Sequence, residues 1–276
     1  MKLAGKVAIV TGTSPNIGGG MVEGLAAEGA AIVAVDAVEA NAVDCAAAVR
    51  AAGGKAIGIT CDVTDEVQVK AAIRRAVAEL GAVDILVNNA AIFNKKGVLE
   101  MSWEEWQRQS GIILGGAFLF TKYAAEAMIT RGANGGPRGG VIVNIISTAG
   151  HQGEPGNVAY STSKGGLLNF TKSTAMELVR HGIRVVSLTP TATDPTEMFE
   201  RARRWGRDVE MPEGLAELMG KFEKRIPMQA LPTPSDYGRA LAFLVSDDAA
   251  MMTGSDLRID AGAVARYWAW DPGVDQ

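Results

Sequence analysis

Val7-Ala8-Ile9-Val10-Thr11-Gly12-Thr13-Ser14-Pro15-Asn16-Ile17-Gly18-Gly19-Gly20 is the stretch that decides the fold. Residues 7–10 are apolar and rich in β-branched side chains, the pattern of a strand buried in a parallel sheet. A glycine-rich turn follows, and an amphipathic run over residues 21–28 predicts a helix. Glycines let the backbone approach a pyrophosphate, and the free N–H groups of a helix start accept its charge. The next strand, over 31–35, runs into Asp36. A carboxylate there hydrogen-bonds adenosine ribose hydroxyls and repels a 2′-phosphate. The turn holds no Lys or Arg to offset that repulsion. The expected cofactor is therefore NAD rather than NADP.

Beyond this unit, strand and helix patterns keep alternating. Strands are predicted over 55–61, 83–88, 141–147, 183–189 and 256–260, and helices over 65–80, 103–130, 158–180 and 235–244. Such alternation predicts an α/β fold with a parallel sheet. Right-handed crossovers put the carboxyl ends of all its strands on one edge. Gly12, Asp36, Asp62, Asn89, Ser147 and Pro190 fall at such ends, which predicts one shared site.

Tyr160-Ser161-Thr162-Ser163-Lys164 supplies the chemistry, with Ser147 upstream at the end of an apolar run. Residues four apart on a helix share a face, with Cβ atoms about 5–6 Å apart. An ammonium beside a phenol favours the phenolate and makes Tyr160 an acid or base closer to neutral pH. The Ser147 hydroxyl can orient or polarise a carbonyl oxygen. The expected reaction is proton transfer at an oxygen, coupled to a hydride carrier.

Taken together, these motifs resemble the short-chain dehydrogenase/reductase family over about residues 3–262. The glycine turn, Cys61-Asp62-Val63, Asn88-Asn89-Ala90-Ala91, Ser147, Tyr160-x-x-x-Lys164, Pro190, Thr253-Gly254 and Ile259-Asp260-Ala261-Gly262 match in order and spacing. The resemblance implies one Rossmann-like domain over 1–276, a doubly wound seven-stranded parallel sheet with helices on both faces. It implies Tyr160 as acid/base, Lys164 on the nicotinamide ribose and Ser147 on the substrate oxygen. Gly12, Asn16, Ile17 and Gly18 would form the dinucleotide turn. Asp62 and Val63 would flank the adenine, and Asn89, Ala90 and Ala91 would line the cofactor channel. Pro190 and nearby threonines, Thr193 among them, would meet the nicotinamide amide.

The chain also departs from the family pattern. Asn16 stands for the second glycine of the turn, and Asn tolerates left-handed backbone better than most residues. Ala91 replaces a glycine, Thr191 follows Pro190 where glycine is usual, Val186 replaces an Asn, and Ala261 interrupts the closing glycine pair. Aligning Glu105-Trp106 and Gly116-Ala117-Phe118-Leu119 puts Ile113 where the family keeps a catalytic Asn that holds a relay water. Ser110, one turn away, or a backbone carbonyl would have to serve instead.

Two segments are expected to select substrate. Thr148, His151 and Glu154 lie between Ser147 and Tyr160, and residues 191–230, including Met198, form a candidate lid. Apolar residues there fit equally well with packing on the core or on another subunit. Arg201, Arg203, Arg204 and Arg207 make this segment basic, which suits either a solvated, acid-paired face or an anionic substrate. Residues 131–140 are Gly-rich and expected as a surface loop. The aromatic tail within 263–276 is expected to pack on a neighbouring subunit or close a site.

With 276 residues, 47% of them hydrophobic, the chain can bury one good core, and a formal net charge of -4 argues against a nucleic-acid partner. Cys45 and Cys61 read as reduced packing residues, and no metal site is expected. No signal peptide or membrane span is apparent in the sequence, so a cytoplasmic protein without membrane partners is expected. The functional expectation is NAD(H)-dependent interconversion of a small secondary alcohol and a ketone by a homotetramer or homodimer. Two alternatives stay open. One is an acyl-thioester (3-oxoacyl/3-hydroxyacyl) oxidoreductase, and the other is an NAD-binding regulatory protein with vestigial catalysis.

Overall fold

Seven parallel strands form one sheet in the order β3-β2-β1-β4-β5-β6-β7 in the computed structural model, which describes residues 1–136, 138–267 and 269–271. The strands are β1 (Val7–Thr11), β2 (Ala31–Asp36), β3 (Ala56–Thr60), β4 (Ile85–Asn88), β5 (Gly140–Ile145), β6 (Ile183–Pro190) and β7 (Asp256–Ile259). The order reverses at β1, which pairs with β2 on one side and β4 on the other. That reversal opens a crevice at the carboxyl ends of β1 and β4, where α/β sheets bind ligands.

Strand side chains alternate between two cores. Ala8, Val10, Ile32 and Ala34 pack with Met21 and Leu25 of α1 (Ile17–Ala27) and Leu241 of α9 (Pro234–Val245). Val7, Ile9, Val33 and Val35 pack on the other face with Ile73 of α3 (Glu66–Leu80) and Phe120 and Met128 of α5 (Gly116–Ala133). Burial on both faces is why these strands read as continuous apolar runs. The remaining helices are α2 (Glu39–Ala51), α4 (Trp103–Ser110), α6 (Val158–Leu178), α7 (Thr196–Arg204) and α8 (Leu215–Glu223).

Two expectations change, and a third feature needs a physical account. The helix expected over 103–130 is interrupted: α4 and α5 are joined by a π-helical turn, Gly111–Gly115. The loop expected over 131–140 is shorter, because α5 continues through Ala133 and β5 begins at Gly140. Arg131 anchors that helix end, with Nη1 2.5 Å from Asp84 Oδ1 and Nη2 donating to the Gly139 carbonyl. Finally, Trp103–Ala133 is long and apolar enough to cross a membrane by length and composition alone. Its apolar side is accounted for by the sheet, since Phe120, Ala124 and Met128 belong to the core.

Of the aromatic tail, Trp268 and residues 272–276 lie outside the described residues. Arg266 bonds the Trp270 and Arg225 carbonyls, which folds the described tail back on its own chain.

Candidate active site

The glycine turn is built as a cradle. Gly12 has φ +73°, a region L side chains rarely adopt, and a Cβ there would sit 2.9 Å from Ala90 Cα. A Cβ on Gly18 would collide with the Gly12 carbonyl oxygen. Asn89 stitches the turn to β4, donating from Nδ2 to the Gly12 carbonyl at 2.7 Å and the Thr11 carbonyl at 3.1 Å. Thr11 Oγ1 accepts from the backbone N–H groups of Asn89 and Ala90, which fixes the floor between β1 and β4. Ala91, next in chain, is exposed. Asn16 caps α1 without a side-chain capping bond, and Ile17 begins the helix. Asn16 Oδ1 and Thr13 Oγ1 are buried with no protein partner. Buried polar atoms are rarely left so, and both belong to a turn whose glycines leave space that a side chain would fill. The turn therefore fits a dinucleotide.

Asp36, buried at the end of β2, accepts the Val38 N–H at Oδ1, which fixes its carboxylate beside the turn. Asp62 follows β3, is exposed, and accepts from both the N–H and the hydroxyl of Thr64. Val63 is buried against Gly116 at the start of α5. Pro190 ends β6, and Thr191 and Thr193 gather around the Tyr237 hydroxyl.

Ser147, Tyr160 and Lys164 converge beyond β5. Ser147 leads a short 3₁₀ turn, Thr148–Gly150, with Oγ accepting from the Ala149 N–H. Its hydroxyl lies close enough to the Tyr160 phenol to pull that group's pKa down. The Tyr160 ring packs edge-on against Phe93, with centroids 5.0 Å apart. Lys164 is fully enclosed on α6; its Nζ donates to the Ile145 carbonyl at 2.5 Å and lies 5.7 Å from the Tyr160 ring centroid.

The electrostatics differ from the expectation. Burial raises the Tyr160 phenol above its ordinary value; the Ser147 hydroxyl pulls it down and the Glu154 carboxylate pushes it further up. Burial alone pushes Lys164 down to about 7. Loss of hydration disfavours both charged forms, so it outweighs the help an ammonium gives a phenolate.

Ile113 sits in the π-helical turn, buried with Ala117, Ile146 and Leu167, and Tyr160 packs against this cluster. The Ser110 hydroxyl donates back into its own helix, at 2.8 Å from the Trp106 carbonyl, so it does not offer itself as a relay. The backbone carbonyl that Lys164 meets is Ile145.

Among the candidate substrate residues, Thr148 Oγ1 lies 3.5 Å from Thr191 Oγ1. His151 Nε2 lies 3.0 Å from Thr189 Oγ1 and 3.3 Å from Asp256 Oδ2, which ties that loop to β6 and β7. Glu154 is exposed and accepts from Asn157 Nδ2. Met198 is half-buried on α7. Of the arginines in this segment, Arg201 and Arg204 pair with Glu23, and Arg207, just beyond α7, with Asp44, while Arg203 is exposed.

Sequence reasoning missed two features. Phe93 walls Tyr160 without belonging to any motif. A buried amide chain also ties the site's scaffold together: Asn88 Nδ2 donates to Asn144 Oδ1 and Thr121 Oγ1, and Asn144 Nδ2 to Thr171 Oγ1. Asn144 inside an apolar strand was the available signal.

A parallel sheet with a dinucleotide cradle at its switch point and a hydroxyl–phenol–amine group beside it defines an oxidoreductase of the Rossmann-like class. The chain belongs to the short chain dehydrogenase family, which it matches over residues 6–207, and these enzymes act on CH–OH groups. It is 34% identical to a galactitol 2-dehydrogenase of Agrobacterium fabrum, covering 95% of this chain and 98% of that one. It is 36% identical to a D-threitol dehydrogenase of Mycolicibacterium smegmatis, covering 95% and 94%. A crystal structure of a short-chain type dehydrogenase/reductase from Mycobacterium marinum superimposes with TM-score 0.83 at 32% identity, covering 96% of this chain and 98% of that one.

Proposed function

We propose that this protein is an NAD(H)-dependent oxidoreductase that interconverts a small secondary alcohol and its ketone. The observation that carries the reading is the convergence of Ser147, Tyr160 and Lys164 beside the Gly12–Gly18 cradle. Gly12, Asn16, Ile17 and Gly18 would hold the pyrophosphate, Asp36 the adenosine ribose, and Asp62 and Val63 the adenine. Asn89, Ala90 and Ala91 would line the channel, with Pro190 and Thr193 at the nicotinamide end. The carboxylate of Asp36, fixed by Val38, favours NAD because it repels a 2′-phosphate. When bound, the nicotinamide supplies the hydride acceptor or donor.

The residues then divide the work. Ser147 donates a hydrogen bond to the substrate oxygen and aligns it with Tyr160. In oxidation the Tyr160 phenolate takes the hydroxyl proton; in reduction the phenol returns it to the oxygen. Lys164 would hold the nicotinamide ribose. The Ile113 cluster gives the Tyr160 side an apolar wall, and Phe93 packs edge-on against the Tyr160 ring. Residues 1–276 act as one domain, with 191–230 as a lid. Thr148, His151, Glu154 and Met198 shape the substrate side.

Polyols are the substrates to try first, because two relatives carry names of polyol dehydrogenases. An acyl-thioester substrate is less favoured, since three arginines of the basic run, Arg201, Arg204 and Arg207, already have acid partners, while Arg203 is exposed. Both cysteines are free and buried, which suits a reducing cytoplasm. Exposed Phe118 and Met176, on α5 and α6, support assembly as a homotetramer or homodimer.

The test is NADH formation over a panel of polyols and cyclic alcohols, with NAD and NADP in parallel. Turnover by the wild type and none by Tyr160→Phe, with NADH still bound by the variant, is the expected result. Retained turnover in Tyr160→Phe removes Tyr160 from its role.

A further inference from the structure

Arg201 is the largest fully buried side chain among the described residues, 1% exposed, and it lies on α7, far in sequence from the cofactor turn. Its guanidinium reaches the turn directly. Nη1 donates to the Pro15 carbonyl at 2.8 Å, and Nη2 donates to Glu23 Oε2 at 2.8 Å. Glu197, one turn back on α7, adds a carboxylate at 3.5 Å, and Glu197 is itself held by the N–H and hydroxyl of Ser235 on α9. The side chain needs a gap in α1 to pass. A Cβ on Gly19 would sit 2.7 Å from Arg201 Cδ and 3.3 Å from Trp205 Cη2, so Gly19 leaves that room. Around it, Arg204 bonds the second oxygen of Glu23, and Arg207 bonds Asp44 and Asn41 on α2.

Ion pairs to Glu23 alone would fasten α7 to α1. The bond to Pro15 does something different, because Pro15 belongs to the glycine turn. A trans peptide points its C=O and its N–H in opposite directions. With Arg201 on the Pro15 oxygen, the Asn16 N–H is turned away from the guanidinium. A charge-assisted bond to the carbonyl also polarises the peptide and strengthens that N–H as a donor to an anion. Asn16 Oδ1, on the residue that follows Pro15, is among the buried side-chain atoms without a protein partner, as is Arg201 Nε, so the peptide that Arg201 holds carries a polar side chain left unpaired in the turn.

We propose that Arg201 is a positioning residue for the cofactor: it sets the Pro15–Asn16 peptide so that the turn grips a pyrophosphate, and it thereby couples the seating of α7 to dinucleotide affinity. By linkage, cofactor binding strengthens the seating of α7 to the same degree. This inference rests on the dinucleotide reading of the turn.

The experiment titrates NADH by fluorescence with wild type, Arg201→Met, Arg201→Lys and Glu23→Gln, and records the melting temperature of each. Arg201→Met should bind NADH at least tenfold more weakly, with KM for NAD rising by a similar factor and kcat within threefold. Arg201→Lys, which keeps a donor and the charge, should fall between. Glu23→Gln loses an ion pair but leaves Arg201 on Pro15, so it should melt lower while binding NADH within twofold of wild type. NADH affinity equal to wild type in folded Arg201→Met overturns the proposal, as does a loss in Glu23→Gln as large as in Arg201→Met. If Arg201→Met does not fold, an unchanged affinity in Arg201→Lys overturns it. A wild type that binds NADPH in place of NADH refutes the NAD preference while Arg201 is judged by the same series with NADPH. A wild type that binds neither refutes the dinucleotide reading and this inference with it.

Discussion

Replacing Lys164 by Met should stabilise the cofactor-free protein, and the gain should depend on pH in a defined direction. The side chain is 2% exposed, and burial pushes its pKa from 10.5 down to about 7. Between those two values the unfolded chain binds more protons than the folded one, so stability rises with pH across that window. Below about pH 7 both states are protonated and the cost of burying the ammonium is present in full. Each pKa unit is about 1.4 kcal/mol, which makes that cost on the order of 5 kcal/mol. Against it stands the bond from Nζ to the Ile145 carbonyl, worth about 1 kcal/mol in its neutral form. Met is close in length and apolar. Lys164→Met should therefore be more stable than wild type by about 3–4 kcal/mol at pH 7 or below. The advantage should shrink steadily and vanish near pH 10, because about 0.8 kcal/mol of the ammonium cost still remains there against a bond of about 1 kcal/mol. Urea unfolding of both proteins at several pH values reads this directly. Parallel stability curves, with no change in the difference between about pH 7 and 10, would refute the claim that a buried ammonium is held here at a cost.

Other outcomes follow from the same geometry. Asp36→Ala combined with Ala37→Arg should shift the ratio of kcat/KM for NAD over NADP toward NADP by about tenfold or more, about 1.4 kcal/mol; an unchanged ratio would remove Asp36 from cofactor choice. Gly18→Ala should abolish dinucleotide binding, because its Cβ would collide with the Gly12 carbonyl oxygen, and isothermal titration with NADH checks it. Because burial raises the Tyr160 phenol, kcat/KM for alcohol oxidation should climb about tenfold per pH unit from pH 6 to 8, while ketone reduction should not climb at all. A flat oxidation profile measured with the chemical step rate-limiting would contradict that assignment.

The alternation of apolar strands with helices was enough to read the sheet, because both its faces are covered and every strand is therefore a continuous apolar run. The cradle was legible for a similar reason: Gly12 and Gly18 occupy positions where backbone approach excludes a side chain. What escaped depends on distance or on burial. The partners of the α7 arginines lie far away in sequence: Arg201 meets Glu23 across 178 residues and Arg207 meets Asp44 across 163. A basic run cannot announce such partners. The π-helical turn between α4 and α5 adds one residue to a helical repeat, too little to disturb an apolar pattern. The charge state of the site escaped because Tyr-x-x-x-Lys spacing predicts proximity, while pKa values follow how much water the fold removes.

One cause unites the shifts at Tyr160 and Lys164. Ile113, Ala117, Ile146 and Leu167 form a hydrocarbon wall, Tyr160 packs against it, and Lys164 is enclosed nearby on the same helix. An amide at Ile113 would bring polarity and a place for water; isoleucine brings neither. Burial raises the phenol and lowers the ammonium, so both groups drift toward their neutral forms at neutral pH. A neutral phenol is ready to give a proton and poorly prepared to take one. The protein's own residues thus lean toward the acid role, as in ketone reduction. Asp36, by favouring NAD in the proposed reading, leans toward oxidation. The two tendencies meet at the positive charge that oxidised nicotinamide carries, since a cation near a buried phenol lowers its pKa far more than it would in water. A site insulated by Ile113 therefore makes the base strength of Tyr160 depend on which redox state of the cofactor is bound. A polar relay at Ile113 would weaken that dependence.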